Sequence, residues 1–200
     1  MSFIDFLPIL QNKRAALQPL QLQHAALLAP LAFSEPELFR YMSASILCEQ
    51  DLHDFLYLAV SDRERGLAIP FIIYDKHGLE VAGSTRFGNI DLKHKRAEIG
   101  WTWIASRFHN SGLNKAVKLL MLQHAFECLA LNRVEIKTNE LNQNSRRAIE
   151  SIGGQYEGLF RHHMVNEDGS LRNTVYYSIL KEEWPELKER VFGKYRKDWE

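Results

Sequence analysis

The sequence predicts a mixed α/β fold: a central, mostly antiparallel, twisted sheet with splayed middle strands and flanking helices. Three observations carry this. Helical patterning near the start gives way to β-rich runs separated by short turn signals. Strands then alternate with helices, and one long apolar helix pattern lies between two strand patterns, as in a crossover connecting neighbouring strands. The 200 residues are 46% hydrophobic and 25% charged, enough to bury one substantial core without staples.

The elements follow in order. "RAALQPLQ" (Arg14 to Gln21) reads as a short first strand, and Gln21 to Tyr41 as helical, interrupted around Pro30 and Pro36. Asp51 to Asp62 is a second helical stretch, ending in "SDRERG" with Gly66 as its stop. "AIPFIIYD" and "EVAGSTRFGNI" form a hairpin around "KHG". In "RAEIGWTWI" simple alternation puts Ala97, Ile99, Trp101 and Trp103 on one face and Glu98, Gly100, Thr102 and Ile104 on the other. A polar loop then opens a helix starting near Asn114. "RVEIKT" alternates as a strand, and "LNQNSRRAIESIGG" is a short helix closed by glycines. "QYEGLFRHHMV", the turn "NEDG" and "TVYYSIL" make a final hairpin. The main domain is expected over residues 14–180, followed by a charged, partly helical tail at 181–200.

Composition narrows the functional classes. Lys+Arg and Asp+Glu are both 25, so nucleic-acid binding through bulk positive charge is not expected. In "MSFIDFLPILQNKRAAL" the positive charges follow the first apolar stretch, the wrong order for a signal peptide, and no apolar run reaches membrane-spanning length. The chain therefore reads as cytoplasmic, with no membrane partner. Cys48 and Cys128 resemble neither a disulfide framework nor a CxxC site, and Cys128, inside an apolar helix pattern, is expected to be a buried structural thiol. No His/Cys/carboxylate spacing suggests a metal, and adjacent His162 and His163 on a strand face opposite ways. GxxxxGK[ST], GxGxxG and GxSxG fingerprints are absent.

The most suggestive segment is "RFHNSGLNKAVKLLMLQHAF" (Arg107 to Phe126). A helix N-terminus presents unpaired backbone N–H groups and partial positive charge. Gly112 lets the chain turn close to a ligand, and Lys115 and Lys118 add charge in the first turns. Together these favour a phosphate or pyrophosphate, although a plain strand-to-helix turn explains the loop equally well. Upstream, Gly100 inside a strongly β sequence signals a bulge. A bulge there splays this strand from "RVEIKT" and leaves amides free to grip an extended, amide-containing ligand. Downstream, Asn142 begins a short helix as its N-cap, and Ser145 follows three residues later.

These residues carry a resemblance. "AEIGWTWI…HNSGLNKAVKLLMLQHAFE…LNRVEIKTNELNQNSRRAIESIGG…EGLFRHHMVNEDGSLRNTVYYSIL" resembles the GNAT superfamily of N-acetyltransferases, in the branch similar to the ribosomal-protein-serine and -alanine N-acetyltransferases. It extends from about Arg14 to about Leu180. It implies acetyl-CoA as cosubstrate, with pantetheine amides on the backbone of Gly100, Trp101, Thr102, Trp103 and Ile104. The family's pyrophosphate loop, Arg/Gln-x-x-Gly-x-Gly/Ala, falls on His109, Asn110, Ser111, Gly112, Leu113 and Asn114. His109 and Asn114 depart from that pattern. Asn142 matches the asparagine that meets the CoA arm. Many members carry a tyrosine seven residues later as acid for the leaving thiolate; here Ile149 stands there. The branch then implies Ser145 as the acid, with Tyr176 and Tyr177 as fallback candidates.

Acetyl transfer needs a base, and Glu98 is the first choice, against the alternative that it pairs with Arg86 or another cation. Backbone N–H groups near Trp101 to Trp103 would stabilise the oxyanion. A protein α-amine titrates near about 8 and a lysine near about 10.4, so an α-amine needs less help from a base. Arg161, His162 and His163 are candidates for lining the acceptor cleft, against a plain edge hairpin; Trp101 and Trp103 fit the core better than a stacking surface. Asn173 replaces an aspartate common in the family. The main expectation is acetylation of a protein N-terminus. A small amine acceptor (a polyamine, amino sugar or antibiotic), which acidic residues crowding the cleft would favour, and a non-catalytic CoA-binding module stay open. So does a homodimer against a monomer.

Overall fold

The computed structural model describes residues 4–42, 44–166 and 168–199. Met1 to Phe3, Ser43, Glu167 of the final turn and Glu200 of the tail lie outside them. One eight-stranded sheet runs in the order β1-β2-β3-β4-β5-β6-β8-β7. Its strands are β1 (Leu10–Gln11), β2 (Ala15–Pro19), β3 (Ile69–Asp75), β4 (Glu80–Asp91), β5 (Arg96–Ile104), β6 (Arg133–Asn139), β7 (Gln155–Val165) and β8 (Leu171–Leu180). Every described pairing is antiparallel except β5 with β6. The helices are α1 (Ala25–Ser34), α2 (Glu49–Glu64), α3 (Leu113–Gln123) and α4 (Gln143–Glu150). Among the described residues no helix is long and apolar enough to cross a membrane.

The expected splay is present, for the expected reason. The β5–β6 ladder is limited to Arg96, Ala97 and Glu98 opposite Arg133, Val134 and Glu135. Beyond it no described residue pairs with the β6 side of β5, while β5 continues to pair with β4 as far as Ile104. Just beyond the last paired residue, Glu98, lies a β-bulge in which Trp101 and Thr102 together stand opposite Thr85. Trp101 has φ +50°, which leaves it in the left-handed region.

The bulge overturns the simple alternation. Ile99, paired with Phe87, shares the α3 side with Thr102, whose hydroxyl meets Thr85 and Lys118. Trp101 and Trp103 instead turn to the opposite side. The first stacks on Arg86 and the second packs edge-on against Phe39, 5.3 Å between ring centroids. One extra residue shifts the period of two by one, so every side chain beyond it changes face.

Three further expectations change. α1 runs through Pro30; the break comes at Glu35, ahead of a 3₁₀ turn at Pro36–Phe39. Buried Leu28, Leu31 and Ala32 anchor the helix on both sides of Pro30, and packing outweighs the lost hydrogen bond there. Cys128 is exposed, as is Cys48, and both are free. The cause is a π-helical turn over His124–Cys128 that continues α3; its wider winding rotates Cys128 off the buried face. The tail is helical over most of its length, and Trp184, Leu187, Phe192 and Trp199 bury themselves against the sheet-helix body.

Candidate active site

The splay and the start of α3 converge. Gly112 is the N-cap of α3 at φ +85°, a conformation that favours glycine, and a side chain there would meet nothing nearer than the Trp199 ring at 3.7 Å. The preceding loop is tied down. His109 Nε2 bonds the Ile104 carbonyl at 2.8 Å. Ser111 Oγ donates to the Phe108 carbonyl at 2.7 Å and accepts from Arg14 Nη2 at 3.1 Å. Arg14 also ion-pairs with Asp75 on β3, so the loop is braced from β2 and β3. Asn110 carries φ +58°, and the buried Asn114 Oδ1 has no hydrogen-bond partner. The tail closes this region: Trp199 accepts from the Lys13 N–H at 2.8 Å and stacks on Tyr195, whose ring lies 6.0 Å from Lys115 Nζ.

Lys118 does not join Lys115 at the helix start. It turns inward, only 7% exposed, and donates to Thr102 Oγ1 at 2.9 Å. Burial pushes its ammonium down to about 7. Six positions into α3 from its N-cap, its side chain faces the sheet rather than the open end.

α4 begins as expected. Asn142 Oδ1 accepts the Ser145 N–H at 3.0 Å, so the asparagine side chain is engaged as a cap. The Ser145 hydroxyl takes no part in capping, and no described residue hydrogen-bonds it. Ile149 is buried, and Gly154 packs against it so closely that a side chain at 154 would sit 2.5 Å from Ile149 Cγ2. Tyr177 OH accepts from Arg146 Nε at 3.1 Å and donates to Glu150 Oε1 at 2.9 Å. Burial raises the Tyr177 pKa, with Arg146 opposing. Tyr176 faces the other side of the sheet, its ring 5.7 Å from Lys137 Nζ.

On that other side lies Glu98, 4% exposed. Its Oε2 takes hydrogen bonds from Lys137 Nζ at 2.9 Å and Asn89 Nδ2 at 2.8 Å. Its Oε1 lies over Gly100, where a side chain would stand 2.9 Å away. The cation it pairs with is thus Lys137 rather than Arg86. Arg86 is buried beneath Trp101 at 3.8 Å, and burial pulls its pKa down to about 10. Arg172, also buried, faces the same carboxylate.

A bulge in β7, between Phe160 and Met164, shapes the final hairpin. His162 has φ +50° and donates its N–H to Asn173 Oδ1 at 2.8 Å. Arg161 and His162 line an open groove of about 700 Å³ with Leu159, Phe160 and Asn173. His163 turns its ring to Phe160 and Tyr176, at centroid distances of 5.4 and 5.6 Å.

Sequence reasoning missed Lys137, Arg172 and the inward turn of Lys118. Lys137 and Arg172 sit on alternating strands where a charged residue usually means a solvated face. Lys118 carried a faint signal: it stands between buried Val117 and Leu120 on an apolar helix.

Residues 14–155 match the family model described as acetyltransferase (GNAT) domain. The Bacillus licheniformis protein named "Uncharacterized N-acetyltransferase p20" is 30% identical over 176 residues, covering 88% of this chain and 97% of that one. The Bacillus subtilis protein named "Putative ribosomal N-acetyltransferase YdaF" is 37% identical over 113 residues, 56% of this chain; the match spans 59% of that relative's length. A solved GCN5-related N-acetyltransferase from Brucella melitensis superposes with a TM-score of 0.84 at 27% identity, covering 91% of this chain and 82% of that one.

Proposed function

The chain belongs to the GNAT acetyltransferase family, and from that premise we propose that it transfers the acetyl group of acetyl-CoA to a primary amine, foremost the α-amine at a protein N-terminus. The observation that carries the reading is the unpaired β6-facing edge of β5 beyond Glu98, leading toward the left-handed Gly112 at the start of α3. An extended ligand with amides at one end and phosphates at the other fits that path: strand-edge groups take the amides, helix N-terminal N–H groups the phosphates. In this reading Gly100 to Ile104 bind the pantetheine, His109 to Asn114 bind the pyrophosphate through their backbone, and Asn142 supports the arm from α4. His109 and Asn114 matter less by side chain than by backbone, since the His109 ring is already tied to Ile104.

Glu98 receives the amine proton at Oε1, the oxygen away from Lys137. The amine nitrogen bonds to the acetyl carbon, the carbon–sulfur bond breaks, and Ser145 Oγ returns a proton to the sulfur. An α-amine suits a carboxylate already engaged by an ammonium, because it needs less help than a lysine side chain. The name of the Bacillus subtilis relative supports the ribosomal-protein type of acceptor. A polyamine is disfavoured, since the cations facing Glu98 outnumber it.

The test is acetyl-CoA consumption, read by a thiol-detecting reagent, over a panel of N-terminal peptides and small amines. Release with peptides supports the reading. Release with small amines alone overturns the peptide acceptor, and CoA binding with no release from any acceptor overturns transfer itself.

A further inference from the structure

The acceptor side of the sheet carries more positive charge than acetyl transfer requires. Three cations stand round one carboxylate on four neighbouring strands: Arg86 from β4, Lys137 from β6 and Arg172 from β8, with Glu98 on β5. Glu98 engages Lys137 directly. Arg86 is 4% exposed, yet its Nε and Nη1 donate to no described group. Asp62 on α2 approaches Arg86 Nη1 only to 3.9 Å, and Asp62 also serves Arg65. Arg172 is 7% exposed, and its Nε is likewise without an acceptor. Burial lowers the pKa of both arginines, and in each case the Glu98 carboxylate works against that loss.

A buried guanidinium N–H without an acceptor has lost its water and gained nothing in return. Such groups persist where a ligand supplies the missing acceptor. The surroundings raise the value of any anion that arrives. Trp101 roofs Arg86, and the gap beside it among Leu20, Phe55, Ala59 and Pro70 is too small for a water, so the Arg86 charge acts through a low dielectric rather than by contact. Charge-assisted hydrogen bonds to a carboxylate are the strongest such a fork can make.

We propose that the acceptor carries a carboxylate close to its reactive amine, recognised by Arg172 beside Glu98, with Arg86 adding its charge from beneath the site. For a peptide this means Asp or Glu among the residues directly following the acetylated one. The inference rests on the acetyl-transfer reading and names the acceptor's charge within it. It also gives Lys137 a role: by holding Oε2 of Glu98 it keeps the incoming carboxylate and Glu98 from meeting unscreened.

The experiment compares kcat/KM in matched pairs. Peptides identical except for Asp, Asn or Lys at the second position form one arm, and free amino acids against their amides form the other. The acidic member of each active pair is expected to be favoured by about tenfold, the equivalent of one charge-assisted contact. In Arg172→Gln that ratio falls toward one, and Arg172→Lys recovers part of it. Equal or poorer use of the acidic member in the unaltered protein overturns the proposal, whatever the variants do. Silent peptides with amino acids favoured over their amides overturn the peptide acceptor and leave the charge preference standing. No thiol release in either arm overturns both.

Discussion

On the side of β5 covered by α3, Lys118 is buried with the Thr102 hydroxyl as its hydrogen-bond partner, and desolvation alone moves its pKa. On the opposite side Arg86, Lys137 and Arg172 gather round Glu98. Both sides bury cations, and they hold them differently. A lone ammonium in apolar surroundings sheds its proton near neutrality. Guanidinium groups near a carboxylate stay charged even when several N–H groups lack acceptors. The proposed cofactor side is therefore the quieter of the two, its buried lysine half-charged at about pH 7, and the proposed acceptor side stays polar and positive.

Removing the lone charge tests the quiet side and is expected to have the largest effect. The folded pKa of Lys118, about 7, lies below its ordinary 10.5. Between those values the unfolded chain binds more protons, so this lysine costs stability increasingly as pH falls from 10.5 to about 7, and equally at all lower pH. At about 1.4 kcal/mol per unit the full cost is of the order of 5 kcal/mol before relaxation. Lys118→Met removes it, and Thr102 keeps its bond to Thr85. Thermal melts are expected to show the variant more stable at pH 7, with the two curves meeting toward pH 10.

On the polar side, Glu98→Gln separates base from ion pair. As the base, its loss lowers kcat by about 10² or more at saturating peptide. A fall in melting temperature with kcat intact reduces Glu98 to a structural partner of Lys137. Ile149→Tyr asks whether the quiet side accepts the acid that the family resemblance implies at this position. The position is 5% exposed and backed by Gly154, so overpacking is expected to cost about 1–3 kcal/mol in urea unfolding without raising kcat. The smallest effect divides Trp101→Gly from Trp101→Ala. Both delete the ring over Arg86, but at φ +50° glycine spares a left-handed strain of about 1 kcal/mol. Glycine is expected to be the more stable variant by roughly that amount.

Much of this contrast was legible in advance. The strand and helix order, the glycine-marked bulge and the capped Asn142 helix rest on local patterns, and they appear as expected except that a two-residue strand, Leu10–Gln11, precedes the first one read and the bulge falls just past Gly100. The family resemblance named a loop whose glycine does take the left-handed conformation. What escaped was the bulge's consequence. Reading "RAEIGWTWI" as an unbroken alternation put both tryptophans with Ile99, although Gly100 had already signalled the extra residue. The π-turn that exposes Cys128 had no such marker.

The sequence by itself determined the elements, their order, the site of the splay and the family, because periodicity, capping and turn chemistry act over a few residues. Tertiary structure alone decided which charges meet. Arg86, Glu98, Lys137 and Arg172 are spread over 87 positions, from 86 to 172, and become neighbours only through the β4-β5-β6-β8 order. Lys118 is likewise an ordinary helical lysine until packing against β5 removes its water. Charge interactions act through space and depend on the medium between the groups, and neither separation nor burial is written in chain order.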